Sequence, residues 1–115
     1  MKEIKDTNEA MTMFIDSAIK HAEASKIGDS NIANDNYKNI IAAVLFLKEK
    51  NELEKLAELL NDQPNSVKLW AATNLLSIKR KEAVKILEEI ESSSGDQSFE
   101  AKWTLIELRK GNLKS

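Results

Sequence analysis

The sequence predicts an all-α chain of about six helices, arranged as three stacked helical hairpins in an alpha-alpha superhelix. Three observations carry this expectation. Apolar residues recur at helical spacing through most of the chain. Glycine and proline are scarce, three and one in 115 residues, which suits long helices with short connections and argues against sandwiches and barrels. A shift of 30 residues (53 to 83) also superimposes the apolar pattern without a gap. It carries Leu53, Leu56, Ala57 and Leu60 onto Ala83, Ile86, Leu87 and Ile90, and Leu69, Ala71, Leu75, Leu76 and Ile78 onto Phe99, Ala101, Leu105, Ile106 and Leu108. A fixed period of this size marks stacked helix pairs, each of which buries its apolar face only against its neighbours.

The first pair, about 7–50, is the longest and reads as a capping unit. Its first helix, about 7–27, carries the stripe Met11, Phe14, Ile15, Ala18 and Ala22. Gly28 suits the left-handed residue that ends many helices, and Asp29 or Ser30 is placed to cap the next helix. That second helix, about 30–50, has Ala33, Tyr37, Ile40, Ile41, Val44 and Leu45 inward. The run from Ile40 to Leu47 is apolar all round, so it is expected to be the most buried element.

The second pair, about 51–79, opens at Asn51, which has capping-box spacing to Glu54. Asp62-Gln63-Pro64-Asn65 is the clearest turn, followed by a helix over about 66–79 with Val67, Ala71, Leu75 and Ile78 inward. The third pair, about 80–111, has its boundary at Lys79-Arg80-Lys81, is interrupted by Ser92-Ser93-Ser94-Gly95-Asp96 and stops at Gly111. The three pairs make one domain over 1–115.

Composition narrows the function classes. Apolar content of 42% and charged content of 31% fit a well-ordered globular chain. A net charge of −2 supplies no long-range field to gather nucleic acid or an anionic membrane. Without cysteine there is no thiolate nucleophile, disulfide or thiolate metal ligand. Met1-Lys2-Glu3-Ile4-Lys5-Asp6 places charges where a signal peptide needs an apolar core. The longest apolar run falls far short of the roughly 20 residues of a membrane helix. The expectation is a cytoplasmic protein without membrane contact, cofactor or metal.

Val67-Lys68-Leu69-Trp70-Ala71-Ala72 followed by Leu75 resembles the HEAT signature of a valine, a basic residue and paired alanines. Gly28-Asp29 with Ala33-Asn34, Ala83-Val84 with Leu87-Glu88, and Phe99-Glu100-Ala101-Lys102 ending at Gly111 extend the likeness. Together, from about Gly28 to Leu113, they resemble a small bacterial family of unknown function with HEAT-like alpha-alpha superhelical repeats. The family often has a proline where this chain has Lys79-Arg80-Lys81. The resemblance brings no catalytic residues; it implies that Lys68 braces adjacent turns.

His21 is the single histidine, and no serine or cysteine pairs with it by pattern, so it reads as a surface residue. The oxygen-rich stretch from Asp29 to Asn36 fails the EF-hand spacing and reads as capping, with Asn34 placed to bond across the helix junction. Glu88, Glu89 and Glu91 read as a solvated acidic face. Three cations at Lys79-Arg80-Lys81, without aromatics between them, are a weak nucleic-acid signal. Lys68 sits in an apolar arc, with its stem over that surface and its ammonium toward Asp62. Trp103 is expected in the core, on a ridge with Phe99 and Ile106.

Trp70 differs, since it shares a polar stripe with Thr73, Asn74 and Ser77. A tryptophan so placed suits an interface anchor or equally packs beneath the first helix, and the matching stripe of the last helix is Glu100, Thr104 and Glu107. These seven residues form the candidate partner-binding face. The reading is a non-catalytic protein-binding module, in its sharpest form an immunity protein that neutralises a bacterial toxin domain. Small size, mild acidity and lysine well in excess of arginine, as in AT-rich toxin–immunity cassettes, suit it. The alternatives are a nucleic-acid-binding protein of HEAT-like architecture, akin to the alkylpurine DNA glycosylases, or a scaffold without a toxin partner. A hydrolase or transferase ranks below both, for want of a nucleophile–base pair.

Overall fold

Two helices of equal length open the chain, and the residues that end them explain the course of the backbone. In this computed structural model the described residues are 3–111. Met1, Lys2 and Leu113, which figured in the N-terminal and family readings, lie outside them. Among the described residues there are five α-helices, one 3-10 helix and no strand. The helices are α1 (Thr7–Lys26), α2 (Ser30–Glu49), the 3-10 helix (Leu53–Leu60), α3 (Asn65–Leu75), α4 (Arg80–Ser92) and α5 (Ser98–Arg109). The chain divides into two compact units, one up to Leu53 and one from Glu54 on.

In the first unit, Asp6 caps α1 by accepting the Glu9 amide at 2.8 Å, while Glu9 Oε1 accepts the Lys5 amide at 3.3 Å. At the other end Gly28 has φ +77°. Its amide bonds Ser25 O and the Asp29 amide bonds Ala24 O, which is a Schellman closure. Asp29 then caps α2 through the Ile32 amide at 3.1 Å. The connection is so short that α1 and α2 fold back on each other as a tightly packed hairpin.

Asn51 departs from the expected role of opening the next helix. It closes α2 instead, with φ +60°. The Asn51 amide bonds Lys48 O and the Glu52 amide bonds Leu47 O, so a second Schellman closure occupies the residue that was to be the N-cap. Asparagine is among the few side chains that accept this backbone region. The Glu52 carboxylate accepts a hydrogen bond from the Thr7 hydroxyl and ties the end of α2 to the start of α1.

Deprived of that cap, residues 53–60 wind as a 3-10 helix and not as the expected α-helix. Buried Leu53, Leu56 and Leu59 are three apart, the spacing that lines up at three residues per turn. Ala57, expected inward, is only half-buried. The 30-residue shift thus superimposes two segments with different helical geometry, and it sets buried Leu69 against exposed Phe99.

The α2 helix is not apolar all round in the folded chain. It buries Asn36, Ile40, Ala43, Val44 and Leu47, while Tyr37 and Leu45 are exposed and Ile41 half-buried. Within its unit α2 has one close helical partner, α1, and a single neighbour covers only one arc of a helix. From α1 come Ala10, Phe14, Ala18 and Ala24; Met11, Ile15 and Ala22, expected inward, are half-buried.

In the second unit, Pro64 precedes α3 and its carbonyl accepts both the Val67 and Lys68 amides at 3.0 Å. Asp62, with φ +57°, makes the bend before it. The α3 helix ends at Leu75, earlier than expected, because the Ile78 and Lys79 amides both fold back to Leu75 O. Ile78 therefore lies beyond the helix and is half exposed, not inward. Lys79 starts α4 by accepting the Ala83 amide, which places the turn that lacked glycine or proline.

The α4 helix packs on both α3 and α5 and presents Ala83, Ile86, Leu87 and Ile90 to the core. Ser93 organises its end. The hydroxyl donates to Ile90 O at 2.6 Å and accepts from Asn65 Nδ2 and the Gly95 amide at 3.4 Å each. The α5 helix buries Ala101, Leu105 and Leu108, and Gly111 follows it at φ +78°.

Neighbouring leucines on α2 test this packing. Leu47 is fully buried and Leu45 is 53% exposed. Leu47→Ala should lower the unfolding free energy by about 2–5 kcal/mol, and Leu45→Ala by no more than about 0.5 kcal/mol. Urea unfolding followed by circular dichroism measures both; equal losses would contradict the burial pattern.

Candidate functional site

Helix α5 has two apolar sides. At 3.6 residues per turn Ala101, Leu105 and Leu108 share one arc, and Phe99 and Trp103 share the opposite one. The first arc is buried against the rest of its unit, so the second faces out. Phe99 is 66% exposed and Trp103 48%. The two rings lie edge to face, with centroids 6.1 Å apart and planes at 77°, a geometry their quadrupoles favour. This corrects the expectation that Phe99, Trp103 and Ile106 pack in the core: only Ile106 is even half-buried on that ridge. Two i,i+4 apolar stripes compete for the inside of one helix, and periodicity alone does not choose between them.

Glu100, Thr104 and Glu107 fall between these two arcs and border the aromatic side. Glu100 is exposed, and Thr104 and Glu107 are half-buried. The Thr104 hydroxyl donates to Glu100 O at 2.9 Å. On α3, Trp70, Thr73 and Asn74 are half-buried, and Ser77, past the helix end, is exposed. The Thr73 hydroxyl donates to Leu69 O at 2.7 Å and Asn74 Nδ2 to Trp70 O at 2.9 Å. Both stripes thus bond back to the carbonyls of their own helices. They lie on α3 and α5, each of which packs on α4.

The other candidates fall into place as follows. His21 and Lys68 are half-buried, and Asn34 is exposed. Glu88 and Glu89 are exposed and Glu91 is half-buried; Glu88 pairs with Arg109 of α5 at 3.7 Å, both side chains being more than half exposed. Such a pair contributes about 0–1 kcal/mol. Among the described residues no group of three His, Cys, Asp or Glu side chains is arranged to hold a metal ion. No helix of the described residues is long and apolar enough to cross a membrane.

One surface had no counterpart in the sequence reading. An open groove of about 950 Å³ runs along the α1–α2 hairpin. Its lining includes Ser17 and Asn36, the two buried polar residues among the described ones. The available signal was their phase: Ser17 stands in the helical register of Phe14 and Ala18, and Asn36 in that of Ile40, where apolar residues would be expected.

Comparison with protein-family models, curated proteins and solved structures finds no match to this chain. The fold by itself defines a class, an all-helical protein built from packed helical hairpins.

The two tryptophans should report their positions by fluorescence. With Trp70→Phe, the remaining Trp103 should emit toward the red and be quenched readily by acrylamide. With Trp103→Phe, the remaining Trp70 should be bluer and at least twofold less quenched. The reverse order would contradict the outward placement of the α5 pair.

Proposed function

We propose that this chain is a non-catalytic protein-binding module whose contact face centres on the outer side of α5. The observation that carries the reading is the Phe99–Trp103 pair, two large rings held edge to face and largely exposed. Exposing them to water is costly unless another surface covers them, at roughly 25 cal/mol per Å² of apolar area. Tryptophan is enriched among residues that dominate binding energy, because it offers much area and few rotamers to freeze. Glu100, Thr104 and Glu107 supply a polar rim to this side of α5. Trp70, Thr73, Asn74 and Ser77 extend the face onto α3.

The specific form of the proposal is an immunity protein of the cytoplasm that occludes a bacterial toxin domain by direct binding. Small size, slight acidity and the resemblance to the bacterial HEAT-like family support it. A mildly acidic module suits a basic partner such as a nuclease.

The test uses tagged wild-type chain and the Phe99→Ala/Trp103→Ala double variant, each purified from the native cell. The wild type should retain a stoichiometric protein partner by mass spectrometry, and the folded double variant should lose it at least 100-fold. For the immunity form, that partner should be encoded beside this gene and be toxic when expressed alone. A wild-type chain that returns bare, or equal retention by the variant, would overturn the reading.

A further inference from the structure

The groove on the α1–α2 hairpin contains polar atoms that the fold itself does not satisfy. Ser17 is 3% exposed and Asn36 8%, and both line the groove. Asn36 Nδ2 donates to Ile32 O at 3.0 Å, which leaves its Oδ1 as an acceptor. Among the described residues, neither Asn36 Oδ1 nor Ser17 Oγ has a hydrogen-bond partner. Among the described residues no side-chain nitrogen or oxygen is sealed away from both partner and surface, so these two oxygens open into the groove. Ser17 differs in this from Thr73 and Thr104, whose hydroxyls bond back to their own helices.

The walls add charge of one sign. Asp6, Glu9, Asp16 and Asp35 line the groove against Lys20 and Lys38. Asp16 and Lys20 pair with each other at 2.9 Å; of the other three carboxylates Asp6 and Glu9 each also accept a backbone amide at the start of α1, and all three stand against the single ammonium of Lys38. Acceptors below and carboxylates beside them describe a site for a donor-rich cation. A phosphate or carboxylate would meet repulsion there.

We propose that this groove binds an arginine side chain carried on a segment of a partner polypeptide. The guanidinium has five N–H donors and no acceptor, and its planar fork engages several acceptors at once. A lysine ammonium is a compact, strongly hydrated charge that loses more on leaving water. An open groove of this size admits a side chain together with its flanking backbone. The site lies wholly in the first unit, on different residues from the α5 face, so either proposal stands or falls without the other.

The test is a titration of ¹⁵N-labelled full-length chain, followed by NMR, with three capped tripeptides: Gly-Arg-Gly, Gly-Lys-Gly and Gly-Glu-Gly. The arginine peptide should shift the backbone amides around Ser17 and Asp35 and the side-chain amide of Asn36. It should bind at least threefold more tightly than the lysine peptide, with no response to the glutamate peptide. Ser17→Ala and Asp35→Asn should each weaken it at least threefold with helicity unchanged, while Glu88→Gln/Glu89→Gln on α4 should not. Equal response to arginine and lysine, shifts centred on Glu88 and Glu89, or unchanged affinity in Ser17→Ala would each overturn the proposal.

Discussion

Backbone reversal at residues of positive φ is the constraint on which the rest of this structure depends. Gly28 and Asn51 each end a long helix in a Schellman closure, where two amides beyond the helix return to its last carbonyls. The first closure leaves so few residues between α1 and α2 that they must pack against each other, and that packing creates both the core of the first unit and the groove beside it. The second takes Asn51 out of the following segment. Leucines three apart then align on a 3-10 helix, although such helices are usually short.

The second unit obtains its turns with less help from special residues. Between α3 and α4 the amides of Ile78 and Lys79 converge on Leu75 O without glycine or proline. Between α4 and α5 the Ser93 hydroxyl gathers Ile90 O, the Gly95 amide and the Asn65 side chain. Ser98 adds a bond from its hydroxyl to Glu91 O at 2.7 Å. One helix end is thereby joined to the start of α3 as well as to the approach to α5, and α4 is held between them.

Both surfaces proposed to bind a partner lie where a helix offers more than its neighbours cover. The α5 helix carries two apolar arcs and one is buried, which leaves an aromatic pair outside. The α1–α2 hairpin places serine and asparagine where the packing register would take apolar residues, which leaves hydrogen-bonding oxygens at a buried floor. In both cases the departure from an ordinary amphipathic pattern is what suggests a partner.

The sequence by itself determined the helical class, the stop at Gly28, a cap at Asp29 or Ser30, the turn at Asp62-Gln63-Pro64 and the inward set Ala83, Ile86, Leu87 and Ile90. These are local properties, set by φ preference, side-chain capping and a periodicity with one apolar arc. Tertiary structure decided what local rules leave degenerate. Asn51 suits either end of a helix, and only the closure onto Leu47 and Lys48 assigned it to α2. Phe99 and Trp103 compete with Ala101 and Leu105 for the inside of α5, and packing within the unit buried the second set and left the aromatic pair exposed. Tyr37 and Leu45 were expected inward, but α1, the helical partner of α2 within its unit, covers a single arc of it.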